Sequence, residues 1–122
     1  MRFIQRICPR YGNWGGPGWS GGTFPAEPKD TNWSVDSKDS LDQLFKEHDR
    51  RYQDAIVEFR NDGTTHAEMM RAFEGADKIL VAEVGALSSN PRKWERPAKS
   101  SWYARVYRYL VLGSFYPKIW IM

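Results

Sequence analysis

Between Ser37 and Asn61 the apolar positions fall at Leu41, Leu44, Phe45, Tyr52, Ala55, Ile56 and Phe59, with His48 in the same series. Steps of three and four put all of them on one face of a helix, and Asn61-Asp62-Gly63 supplies residues that end one, so the pattern predicts a helix over about 38–61. A second series, Met69, Met70, Phe73, Leu80, Val84 and Leu87, includes Asp77 and predicts a helix over about 65–87. Thr65, with Glu68 three residues on, forms a capping box at its start. The turn between the two is short, which makes them antiparallel neighbours packed through their apolar stripes. Residues 48 to 52 then lie opposite residue 77.

Outside this pair the pattern changes. Residues 11–34 are rich in Gly, Pro, Trp and Ser, and Gly15-Gly16-Pro17-Gly18 excludes regular helix or central strand. A long loop follows, and its aromatic residues argue for an ordered one. Ser88 to Ser100 reads as a polar, proline-containing connection, and Trp102, Val106 and Leu110 predict a short third helix that stops by Gly113. The apolar tail from Phe115 to Met122 has two readings, packing onto the core or lying in a lipid interface, of which packing is favoured. The expected fold is mainly α: one domain over residues 1–122, with a core over 11–87 and a C-terminal helix and aromatic tail over 99–122.

Composition agrees with a single small domain, since 122 residues with 41% apolar content bury one modest core. Cys8 is the only cysteine, so no intramolecular disulfide supports the fold. Residues 1–10 lack the apolar run of a secretory signal, and no stretch approaches the roughly 18 apolar residues of a spanning helix. A formal charge of +3 favours anionic surfaces without separating membrane from nucleic acid.

Two polar groups occupy positions where the helical period demands apolar ones: His48 on the first stripe and Asp77 on the second. Tyr52 lies one turn beyond His48. A buried carboxylate is costly unless paired, and an imidazole across the helix interface is a suitable partner. Such a pair is either a satisfied core contact or a general base held by an acid. Asp49 lies about 100° further round the helix than His48, off the core stripe, where a carboxylate can hold a cation beside the imidazole. The glycine cluster is either a plain turn or a cradle in which backbone groups converge on one point.

Taken together these segments resemble the phospholipase A2 superfamily. Tyr11-Gly12-Asn13-Trp14-Gly15-Gly16-Pro17-Gly18 is similar to its calcium loop, and Asp42 to Asp49 to its helix motif of Asp, two cysteines and His-Asp. Leu44 and Phe45 stand in place of the cysteines, which brings the resemblance nearest to the cysteine-free branch known from parvovirus capsid proteins. Gly16-Pro17-Gly18 and the set Asp42, Lys46, Glu47, His48, Asp49 and Tyr52 match that branch, and Gly75-Ala76-Asp77 fits the second helix.

The resemblance implies a phospholipase A2-like fold and calcium held by the backbone carbonyls of Trp14, Gly16 and Gly18 and the carboxylate of Asp49. It implies that His48 activates a water against the sn-2 ester of a glycerophospholipid, with Asp77 and Tyr52 supporting the imidazole and the Gly16 amide contacting the oxyanion. Asp42 is expected to be structural near the helix start. Lys46, Arg50 and Arg51 are expected to form a solvated face able to touch anionic headgroups, and His66 to be exposed.

The expected partner is therefore a phospholipid membrane surface, anionic lipids included, in the setting of a virion component or a membrane-targeted effector. A catalytically silent calcium- and lipid-binding module of a virion or larger assembly is the first alternative. A nucleic-acid binder using Arg and Trp of the C-terminal third is the second, and it leaves the His48–Asp77 coincidence unexplained.

Overall fold

Asp39 opens the first helix in extended backbone, its carboxylate accepting the Asp42 amide at 2.8 Å, so a dangling N–H of the first turn is satisfied. A computed structural model describes residues 10–16, 19–23, 25 and 28–113. Helix α1 spans Ser40–Arg60 and ends at Asn61, with Asp62 taking a left-handed φ of 58° before Gly63. Helix α2 spans His66–Ala86, and its start carries the predicted capping box: Thr65 accepts the Glu68 amide while Glu68 accepts that of Thr65. Helix α3 spans Ser101–Leu112 and stops at Gly113. Among the described residues the protein is mainly α, with no strand beyond the isolated bridges Tyr11–Gly15 and Ser20–Thr23.

The α1–α2 pairing is antiparallel, because as the position falls from Tyr52 to His48 its partner rises from Phe73 to Asp77. Two apolar clusters flank that polar contact. The larger joins Leu41 and Phe45 of α1 to Leu80 and Val84 of α2, Ala104, Tyr107 and Val111 of α3, and Tyr11, Trp14 and Trp94. The smaller holds Tyr52, Ala55, Phe73 and Ala76. Clusters of this kind supply the stability, since truncating a buried leucine such as Leu80 to alanine costs about 2–5 kcal/mol.

Two details of the stripes differ from expectation. On α2 Met70 is exposed and Ala76 is buried in its stead, because the seam to α1 runs through Phe73, Ala76 and Leu80. On α3 the predicted series is not the buried one: Trp102 and Val106 are exposed and Leu110 half-buried, whereas Ala104, Tyr107 and Val111 face the core. That choice follows from aromatic packing, with Tyr107 and Tyr103 both against Tyr11 at centroid distances of 5.2 and 5.7 Å. The connection before α3 is ordered by a 3-10 turn at Pro91–Lys93 and by Arg96, which donates to Ser37 next to the start of α1. Cys8 and the tail from Phe115 to Met122 lie outside the described residues, and so does the question of how the tail packs.

Candidate active site

His48 and Asp77 meet across the α1–α2 seam, with His48 Nε2 2.8 Å from Asp77 Oδ1. The same oxygen accepts the Tyr52 hydroxyl at 2.7 Å. Tyr52 is itself wedged, its ring 4.6 Å from the His48 ring and stacked 4.3 Å from Phe73 at an interplanar angle of 10°. Burial, and then the hydrogen bond to Asp77, raise the Tyr52 phenol far above its ordinary range, so it remains a donor. The imidazole is 1% exposed, whereas the Asp77 side chain keeps 23% exposure. The three residues of the sequence-derived triad are thus brought together, and Asp77 fixes which imidazole nitrogen carries a proton.

Asp49 is more enclosed than its position off the core stripe implied, at 6% exposure. The loop covers it: Ser20 Oγ donates to Asp49 Oδ2 at 2.8 Å, while Oδ1 is buried without a hydrogen-bond partner. Burial pushes this carboxyl well above the usual range, Ser20 pulling it down and nearby Asp42 pushing it further up. Once this carboxyl gives up its proton, its unpartnered buried oxygen is what a hard cation satisfies. Among the described residues no group of three or more His, Cys, Asp and Glu could hold a metal, and an ion at Asp49 would need uncharged oxygens, side-chain or backbone, from the loop that covers it.

The loop that would supply them is docked onto α1 by carboxylates. Asp42, fully buried, accepts the amides of Asn13 at 3.0 Å, Trp14 at 2.9 Å and Lys38 at 2.8 Å. Asp39 accepts the Tyr11 hydroxyl at 2.6 Å besides capping α1. Close approach accounts for two glycines: at Gly12, with φ of 54°, a Cβ would lie 2.4 Å from Asp42 Cγ, and at Gly15 one would lie 2.7 Å from the Phe45 ring. Trp14 is buried and stacked on Trp33 at 5.0 Å. Gly16 accepts the Trp19 amide through its carbonyl at 3.1 Å, and Gly18 lies outside the described residues.

Asp42 therefore does more than place negative charge near a helix start, because it pins the backbone of the loop. Its spacing could have shown this: Asp42 and Asp49 are seven residues apart, two turns along the same flank of α1. Ser20 had no such signal, since nothing in a glycine-rich segment marks which hydroxyl reaches the helix. Of the residues expected at the surface, Arg50 pairs with Asp54 and lies over Trp33, Arg51 approaches Glu83, and Lys46 reaches back to the Val35 carbonyl. His66 is exposed, its ring edge-on to Phe59.

Comparison with protein-family models, curated proteins and solved structures found no match.

Proposed function

We propose that the chain is a calcium-dependent phospholipase A2 that cleaves the sn-2 ester of glycerophospholipids at a membrane surface. The observation that carries this reading is the adjacency of two differently equipped residues on α1: His48, bonded to the Asp77 carboxylate, and Asp49, buried with one oxygen unpartnered. A base held in one tautomer and a cation site one residue away are the two requirements for ester hydrolysis by activated water.

With Nε2 held by Asp77, the lone pair that takes a proton is on Nδ1. His48 removes a proton from water, the water oxygen attacks the ester carbonyl, and Asp77 stabilises the imidazolium so formed. The imidazolium then returns its proton to the departing glycerol oxygen, giving lysophospholipid and free fatty acid. Tyr52 keeps Asp77 in position, and the Gly16 amide is assigned to the carbonyl oxygen as it gains charge. The carbonyls of Trp14, Gly16 and Gly18 and the carboxylate of Asp49 would hold calcium, which supplies positive charge for the lipid phosphate and the oxyanion.

One observation favours a silent calcium- and lipid-binding module instead, namely the 1% exposure of the His48 ring. A calcium titration with a phospholipid hydrolysis assay separates the two, since the module binds the ion and releases no fatty acid.

Asp77→Asn tests the role of the acid. The amide oxygen still accepts from His48 and Tyr52 but no longer offsets the imidazolium charge, so turnover should fall about 10²–10⁴-fold with fold and calcium affinity retained. Unchanged turnover would remove Asp77 from the site.

The raised carboxyl of Asp49 gives a pH test. A proton must leave before an ion binds, so calcium affinity should strengthen as pH rises above the ordinary aspartate range. In chelator the unfolded chain ionises at Asp49 first, so the contribution of this group to stability is lost as pH climbs through the raised range. Calcium offsets that loss. Calorimetric titrations at two pH values check both signs, and an affinity independent of pH would contradict them.

A further inference from the structure

Two members of the series predicted on α3, Trp102 and Val106, are turned away from the core, and with Tyr109 they form one outward stripe. Trp102, Val106 and Tyr109 are 70%, 44% and 76% exposed and, at steps of four and three, lie within a narrow arc of the helix. Among the described residues the other exposed large apolar side chains form no such row, since Met70 and Ile79 are on opposite sides of α2 and Val57 is on α1. Basic groups border the stripe. Trp102 also lines a cleft of about 390 Å³ with Asn90, Arg92, Ser101 and Arg105. Neither Arg92 nor Arg105 has a carboxylate within ion-pair distance among the described residues.

The segment that carries this stripe is the basic part of the chain. Between positions 88 and 113 stand Arg92, Lys93, Arg96, Lys99, Arg105 and Arg108 against the single acid Glu95, a net +5, whereas the whole chain is +3. The remainder of the chain is therefore net acidic. An outward stripe of Trp, Val and Tyr bordered by unpaired arginines matches the boundary of an anionic membrane, where aromatic rings sit at headgroup level and arginines reach phosphates. A second copy of the chain fits less well, because three side chains of at most about 250 Å² each fall short of the roughly 800 Å² per partner that a stable dimer buries.

We infer that the outer face of α3, through Trp102, Val106, Tyr109, Arg92 and Arg105, docks the protein onto an anionic phospholipid surface. The inference deepens the phospholipase reading, on which it rests for its purpose, by naming the face that meets the lipid. Its test does not depend on hydrolysis.

The full chain is sedimented in chelator with vesicles of phosphatidylcholine alone or mixed equally with phosphatidylserine. Wild type should partition preferentially to the mixed vesicles. Trp102→Ser/Val106→Ser/Tyr109→Ser should bind them at least about tenfold more weakly, and Arg92→Glu/Arg105→Glu should lose the preference for phosphatidylserine, each arginine being worth about fivefold. The matched control Val57→Ser/Met70→Ser/Ile79→Ser should bind as wild type does. Circular dichroism confirms that each variant is folded, and turnover of a short-chain phospholipid below its micelle concentration should be equal in wild type and the α3 variants. Absent turnover in all of them removes the phospholipase reading and leaves the docking result standing. Docking itself is overturned if wild type ignores the mixed vesicles or if the α3 triple variant binds them undiminished.

Discussion

A His48→Asn variant is expected to lose hydrolysis by at least about 10³-fold while binding calcium as wild type does. The asparagine cannot take a proton from water at neutral pH, yet no imidazole nitrogen is needed by an ion that prefers oxygen ligands. The Asp49→Asn variant should lose both properties. Among the assigned ligands Asp49 supplies the only charge, and its buried Oδ1 has no protein partner to replace the ion. Calorimetry decides the division of labour between these neighbours. If His48→Asn lost calcium while Asp49→Asn retained it, the roles would be assigned to the wrong residues.

The second large effect is on folding and concerns Asp42. Removing its carboxylate with Asp42→Ala strands the amides of Asn13, Trp14 and Lys38 in or near the interior. The buried Trp14 donor left unsatisfied costs about 1–3 kcal/mol, the part-buried amides of Asn13 and Lys38 cost less because water reaches them, and the desolvation of the carboxylate, which raises its pKa, is recovered in part, so a net loss of about 2–4 kcal/mol is expected. That is a large share of the roughly 5–15 kcal/mol that holds a typical domain together. Asp42→Asn should cost somewhat less, because one oxygen remains while the new amide group faces amide donors. Urea denaturation measures both. A loss under about 1 kcal/mol in Asp42→Ala would mean that the loop is held by its ring contacts, Tyr11 and Trp14, instead of by the carboxylate.

The helices were legible because local chemistry and periodicity agree where α1 ends and where α2 begins. Thr65 and Glu68 form the capping box their spacing implies, and the Asn61-Asp62-Gly63 turn closes α1 where the apolar series stops. The His48–Asp77 contact was legible for a related reason, since two polar residues on two facing stripes have few ways to be satisfied other than by each other. Faces were harder to read where apolar residues surround a helix. On α3 both Trp102/Val106 and Ala104/Tyr107/Val111 have helical spacing, and the stack on Tyr11, remote in sequence, selects the second. The same limit applies to Met70 and Ala76, because the longer side chain is the more apolar while the narrow seam takes the smaller one. Loop docking was least legible. Hydrogen bonds from Asn13, Trp14 and Ser20 to α1 span 28 or 29 residues, and no local pattern records contacts at that range.

Mass spectrometry of a phosphatidylcholine with different acyl chains at sn-1 and sn-2 tests calcium-dependent sn-2 hydrolysis most directly. Incubation of the full chain with such vesicles in calcium should release only the sn-2 fatty acid and the matching 1-acyl lysophospholipid, and excess chelator should stop the release. No fatty acid in calcium, release of the sn-1 chain, or equal release in chelator would contradict it.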